Sequence, residues 1–309
     1  MEISKKVVVA SCLSIIAISQ INADVLHQKV PQAKNMMRGV VDESMGNKLM
    51  VNDVEISERS QDVTSNTKEV ISLQQQNKKA YQWGIGFGAI FSPNPYKDTN
   101  YTILPIPVIS YLGEDLTIYG PYVSYKLYKS DFTVTEAQLF LYPEQFKAKD
   151  SNDSQMQRLD NRNYIVMAGF KQRFISAYGD INVGLNFDIT GQSNGYMGVI
   201  EYEKRFVFIK GQHLFSLKPS IGLQYSSKQL TDYYYGISYD ESVRSGLAQY
   251  TPSDEVSPYL GLAIVYSYGR RWNLSLTSRV NRLSDSVSDS PMISNQYVLT
   301  SSIALSYSF

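Results

Sequence analysis

From Tyr81 onward the chain keeps returning to one pattern, in which bulky apolar residues alternate with small or polar ones. In "INVGLNFDI" the apolar set is Ile181, Val183, Leu185, Phe187 and Ile189, with Asn182, Gly184, Asn186 and Asp188 between them. "WGIGFGAIF", "FSLKPSIGLQY" and "WNLSLTSRVN" alternate in the same way, as does the closing "IALSYSF". A period of two belongs to a β-strand with two unlike faces, and no long run has helical spacing. The pattern predicts an all-β domain over 81–309. Its strands fall near 82–92, 101–112, 115–128, 131–142, 162–174, 178–189, 196–208, 213–227, 229–238, 256–268, 271–283 and 296–309. The ninth, around "TDYYYGISYD", lacks clean alternation, and reading it as loop brings the even count down to ten.

Alternation alone fits a soluble sandwich, with the apolar face as core. It equally fits a transmembrane antiparallel up-and-down β-barrel, with the apolar face on lipid and a polar lumen. Composition separates the two. The residues between the apolar ones are mostly Gly, Ser and Asn, which suit a crowded lumen. Tyrosines gather at strand ends (Tyr81, Tyr101, Tyr111, Tyr142, Tyr178, Tyr225, Tyr266 and Tyr268), where interfacial girdles lie. The last strand carries Ile303, Leu305, Tyr307 and Phe309 on one face, up to the final residue. In a closed barrel that strand pairs with the first, and a terminal aromatic after alternating apolar residues has the form of a signal for the barrel-insertion machinery. The expected fold is a barrel of about 12 strands with both chain ends on the periplasmic side. Polar stretches such as "EQFKAKDSNDSQMQRLDNR" and "YDESVRSGLAQYTPSDEV" are expected as outer loops, and "GEDL" and "GRR" as tight turns.

The other end of the sequence sets the compartment. "MEISKK" and a 13-residue apolar run precede "QINA". This is the build of a secretory signal peptide over 1–23, cleaved between Ala23 and Asp24, and too short to span a membrane. "VASC" offers a competing lipoprotein box at Cys12, but its apolar core is too short. Cys12 is the sole cysteine, so the exported chain has no disulfide and no thiolate chemistry. Residues 24–80 contain no aromatic side chain. Such a segment buries too little to offset its ordering entropy and reads as a polar, largely disordered periplasmic extension.

The barrel region is similar to the MipA/OmpV family of Gram-negative outer-membrane proteins. The resemblance rests on the order and spacing of "WGIGFGAIF", "LPIPVISY", "DITGQSNGY", "YYYGIS", "SPYLGLAIVYSY", "DSPM" and the closing "SYSF". It implies a non-enzymatic outer-membrane scaffold that binds a murein transglycosylase, and with it a murein synthase. The extension over 24–80 departs from the family layout, in which the barrel starts soon after the signal.

Candidate chemistry changes this picture little. "GQSNG" spells G-x-S-x-G and makes Ser193 with His213 the one constellation to weigh for a Ser–His lipid hydrolase. The motif needs a strand–turn–helix context, and here it falls between strands. No metal or cofactor motif is present. The formal net charge is zero, which gives no field for nucleic acid. Inward positions carry Lys126, Glu136, Lys171, Asp188, Lys218 and Arg279. These either cross-brace the lumen or line a narrow pore, so a pore or surface adhesin stands as the second function. The expected surroundings are outer-membrane lipid, with no cofactor.

Overall fold

The computed structural model describes residues 83–92, 95–99, 102–142, 144–269 and 271–309. The signal segment, its cleavage point and the 24–80 extension lie outside the described residues. The strands are β1 (Trp83–Ser92), β2 (Thr102–Leu112), β3 (Leu116–Tyr119), β4 (Tyr122–Lys129), β5 (Thr133–Tyr142) and β6 (Ile165–Phe174). They continue with β7 (Asp180–Asp188), β8 (Tyr196–Glu203, resumed as Phe206–Lys210) and β9 (His213–Ser226). The last three are β10 (Glu255–Tyr268), β11 (Trp272–Arg282) and β12 (Tyr297–Ser308). Both parts of β8 pair with β9, so they form one strand interrupted at Lys204 and Arg205. Every strand pairs antiparallel with its neighbour in sequence. The ring closes where β12 meets β1, from Gly84 opposite Ser308 to Phe91 opposite Ser301. Beyond that ladder the Phe309 amide donates to the Trp83 carbonyl at 2.9 Å. This is a closed twelve-stranded up-and-down barrel, in which no strand of the ring is left as an edge along its whole length.

The expected strand number holds, but two of the expected strands do not. Residues 115–128 are two strands, β3 and β4, split by a turn at Gly120–Pro121. Gly120 has φ +54°, a left-handed conformation that favours glycine. Residues 229–238 are mainly a helix, α1 (Lys228–Tyr235). Its buried residues Leu230, Thr231, Tyr234 and Tyr235 recur at helical spacing, and that face outweighs the β-preference of three consecutive tyrosines.

The faces are inverted relative to a soluble protein. On β12, Ile303 and Leu305 are 50% and 48% exposed, whereas Ser302, Ser306 and Ser308 are buried. β11 repeats this, with Leu274 and Leu276 outside and Ser275 and Thr277 inside. An apolar band this continuous has no place in water. One end of the barrel has tight turns, including those at 113–115 and 211–212. The other carries the long connections 143–164, 227–254 and 283–296. Aromatic pairs ring the tight-turn end: Trp83 with Tyr111 at 4.8 Å and Trp272 with Tyr307 at 5.0 Å. Among the described girdle tyrosines Tyr142 departs from the expectation, because it is buried, whereas Tyr81 and Tyr101 lie outside the described residues.

Two strand junctions on opposite sides of the ring leave no room for a side chain. A Cβ on Gly86 of β1 would lie 2.3 Å from the Leu305 carbonyl oxygen of β12. One on Gly169 of β6 would lie 2.0 Å from that of Leu185 on β7. Glycine alone permits strands to meet so closely there. The Tyr119 side chain of β3 is buried on the lumen face, near Ser275 of β11 and Ser306 of β12.

Candidate functional site: a capped and charge-lined lumen

The long loops do not simply extend into solvent. They carry Tyr96, Phe146, Met156, Leu159, Tyr234, Tyr235, Ile237, Val287 and Met292, all buried in one apolar cluster with Ile90, Val108, Phe140 and Met197 of the wall. Tyr96 stacks at 4.9 Å on Phe146, and Tyr142 of β5 meets Tyr234 at 5.6 Å. Polar groups knit the loops together. The Tyr96 hydroxyl donates to Tyr234 O at 3.3 Å, Tyr234 to Asn163 O at 3.1 Å, and Ser290 to Tyr235 O at 2.6 Å. The Lys97 amide donates to Met292 O at 2.8 Å.

A buried ion pair anchors this cap. Arg162 donates to Glu241 at 2.7 Å and to Gly236 O at 3.1 Å. Glu241 also accepts from the Asp160 and Ser238 amides, the latter as the capping box of α2 (Tyr239–Ser245). With every Glu241 contact made, the two long loops are locked to each other. Sequence reading missed these residues because the loops look polar overall. The usable signal was aromatic and apolar residues inside them: Phe146, Met156 and the run Tyr233, Tyr234, Tyr235.

Glu144 sits under the cap, half-buried. Desolvation pushes its carboxyl up to about 7, opposed by hydrogen bonding with Tyr96 and reinforced by nearby Glu255. A carboxyl with a raised folded-state pKa adds stability that is complete below about 4.5 and is lost as pH rises through 7. The cap is therefore expected to loosen between those values by up to about 3 kcal/mol. Hydrogen exchange of 144–162 should speed up across that range in the wild type and stay level in Glu144→Gln.

Below the cap, charged pairs between neighbouring strands line the wall of the lumen. Lys171 of β6 pairs with Glu136 of β5 at 2.6 Å, and Lys218 of β9 with Glu203 of β8 at 2.6 Å, all four buried. The Arg279 guanidinium lies 3.4 Å over the Tyr259 ring and donates to Gln224 at 3.0 Å. Tyr259 in turn donates to Glu201 at 3.0 Å. Lys126 sits at the tight-turn rim and donates to Glu114 O at 2.7 Å. Asp188 occupies an inward position at the loop end of β7, but its carboxylate accepts from Thr190, Ser193 and Asn194 of the following turn. Glu136, Lys171, Lys218 and Arg279 thus each meet a partner one or two strands away along the wall, and Asp188 belongs to a turn.

Removing one member of a buried pair leaves a desolvated charge behind. Lys218→Met is expected to lower stability by about 3–5 kcal/mol. The double change with Glu203→Gln should restore much of the loss, as urea titration followed by the gel shift would register.

Ser193 and His213 do not form a pair. Ser193 lies in the loop-end turn before β8, with its hydroxyl on Asp188 at 2.8 Å. His213 begins β9 at the tight-turn end, opposite Lys210, with its Nδ1 2.7 Å from the Tyr266 hydroxyl. Nearly all of the 14-residue β9 separates the two, about 40 Å of strand. Of the final-strand residues, Ile303 and Leu305 face outward, Tyr307 accepts from Arg271 at 3.1 Å, and the Phe309 ring is 64% exposed.

A closed barrel with an apolar exterior and a capped, charge-lined lumen defines an integral protein of the Gram-negative outer membrane. Comparison with known proteins agrees: the family model for MltA-interacting protein MipA matches residues 85–309, and the chain belongs to that family. The MltA-interacting protein of Escherichia coli strain K12 is 35% identical over 229 residues, 74% of this chain and 90% of that protein. The putative outer membrane protein YiaT of Escherichia coli O157:H7 is 32% identical over 231 residues, 74% of this chain and 92% of its own. Outer membrane protein OmpV of Vibrio cholerae is 22% identical over 225 residues, 72% and 86% of the two chains.

Proposed function

We propose that this protein is a non-conducting, non-enzymatic scaffold in the outer membrane that holds murein-remodelling enzymes at the periplasmic face. The observation that supports the reading is the cap: long loops bury an apolar cluster and the Arg162–Glu241 ion pair at one end of the barrel, above a wall that carries further buried ion pairs. The relative named for interaction with MltA suggests the partner class, a murein transglycosylase. A murein synthase is the second partner expected in this reading. The tight-turn end and the strand termini at Trp83 and Phe309 are the surfaces such partners would meet. In the same reading residues 1–23 are removed between Ala23 and Asp24 on export, and 24–80 extend into the periplasm. Ile303, Leu305, Tyr307 and Phe309 form the insertion signal.

Immobilised full-length protein should retain a murein transglycosylase from envelope extract, and deletion should alter murein crosslinking while leaving solute uptake normal. Normal murein together with an uptake defect would favour the pore. Loss of attachment to host surfaces as the sole defect would favour the adhesin.

A further inference from the structure

The wall has one low place. β3 is four residues long, and the β3–β4 turn at Gly120–Pro121 stops well short of the loop end. β2 runs on from Ile109 to Thr102 beside β1, yet among the described residues no strand pairs with that stretch on its other side. The opposite flank is β5, whose Leu141 amide donates to Pro121 O at 3.4 Å.

The sequence of β2 is adapted to this gap. The Ile109 carbonyl accepts from the Gly120 amide at 2.9 Å, which fixes the direction of alternate backbone groups. The groups of Ile109, Pro107, Pro105 and Ile103 face the gap, and those of the residues between them face β1. Proline therefore fills two of the three positions beyond Ile109 at which an N–H would point, unpartnered, towards hydrocarbon. The same prolines deny an arriving strand its donors, so the free edge is not built for sheet extension.

Behind the gap lie Val108, Tyr119, Tyr122 and Phe140, each at most 2% exposed, with Phe146 of the β5–β6 loop in the same cluster. The Tyr122 hydroxyl is fully buried there and has no hydrogen-bond partner among the described residues. Outside, Ile103 and Ile109 face lipid on the β2 flank, and Leu139 of β5 faces lipid just below the gap, opposite Val123 of β4. We propose that the β2–β5 gap is a lateral entry from the membrane, through which an acyl chain of a surrounding lipid inserts into the lumen between Val108, Tyr122 and Phe140. The chain enters by displacing the Phe146 ring, and the Tyr122 hydroxyl donates to an oxygen of the lipid. The apolar cluster under the cap is then a lipid site as well as a seal, a role the scaffold reading does not require.

The test places the full-length protein in phosphatidylethanolamine vesicles that contain phosphatidylethanolamine with a photoreactive diazirine on its acyl chain. Cross-links are then assigned to residues by mass spectrometry. The proposal expects them on inward residues Val108, Tyr122 or Phe140 as well as on outward Ile103, Ile109 and Leu139. Val108→Trp, which adds bulk where the chain would insert, should reduce the inward cross-links several-fold and leave the outward ones unchanged. Its folding is verified by the mobility of unboiled samples, with Phe140→Trp as the substitute if it does not fold. Cross-links confined to outward residues in the wild type, or inward cross-links that persist in the bulkier variant, would overturn the proposal.

Discussion

Deletion of Phe309, or its replacement by serine, is expected to collapse the amount of protein in the outer membrane while degraded or chaperone-bound chain accumulates in the periplasm. The ring is exposed on the outward face, so its loss leaves no cavity in the lumen. A buried phenylalanine in a soluble core would instead cost about 3–5 kcal/mol on truncation and leave a weakened but soluble product. What Phe309 contributes is the lipid-facing end of the closing strand, where its amide continues the β12–β1 ladder to Trp83. Ser308 points the other way and is buried in the lumen, so Ser308→Ala is the matched control and should assemble normally. Immunoblots of separated membranes decide the matter. Equal outer-membrane levels for Phe309→Ser and Ser308→Ala would refute the insertion role.

Glu241→Ala should have the largest effect on the cap. It removes the acceptor for Arg162, for the Asp160 amide and for the α2 capping box together. The Arg162 guanidinium then stays buried without its counter-charge, an arrangement that costs about 3–5 kcal/mol. The barrel strands do not depend on this pair, so the variant should still shift between boiled and unboiled samples. Protease should nonetheless cut it within 144–162 and 228–254, where the wild type resists. Arg244 and Asp160 make an ion pair of the same 2.7 Å length nearby, but with both side chains substantially exposed. Arg244→Ala should therefore cost less than about 1 kcal/mol and leave the protease pattern unchanged. A Glu241→Ala protein as resistant as the wild type would show that the apolar cluster alone holds the cap.

Sequence carried the wall of this molecule and little of its interior. The alternation in β7, β9, β11 and β12 shows which face meets lipid, because a period of two is a local property and needs no knowledge of what lies across the lumen. The same local logic failed at two points. Gly120–Pro121 is a turn signal that a continuous strand over 115–128 reads through. The tyrosines of α1 have high strand preference, yet their burial against the loops makes them helical, a tertiary effect that propensity does not contain. The strand number survived because one strand split where another vanished. The pairs along the wall were half legible: inward parity finds Glu136, Lys171, Lys218 and Arg279, but the partner of Lys218 is Glu203, reached only by knowing the register of β8 on β9. The cap was the least legible, since Arg162 and Glu241 are 79 positions apart in loops that carry no periodicity.

A lumen that does not conduct is what separates the scaffold from a pore. Purified full-length protein, reconstituted in a planar bilayer at neutral pH, tests this most directly. Insertion without stable conductance steps is expected, with the cap closing one end of the lumen. Reproducible single-channel steps from the wild-type protein would contradict that expectation and return the molecule to the pore reading.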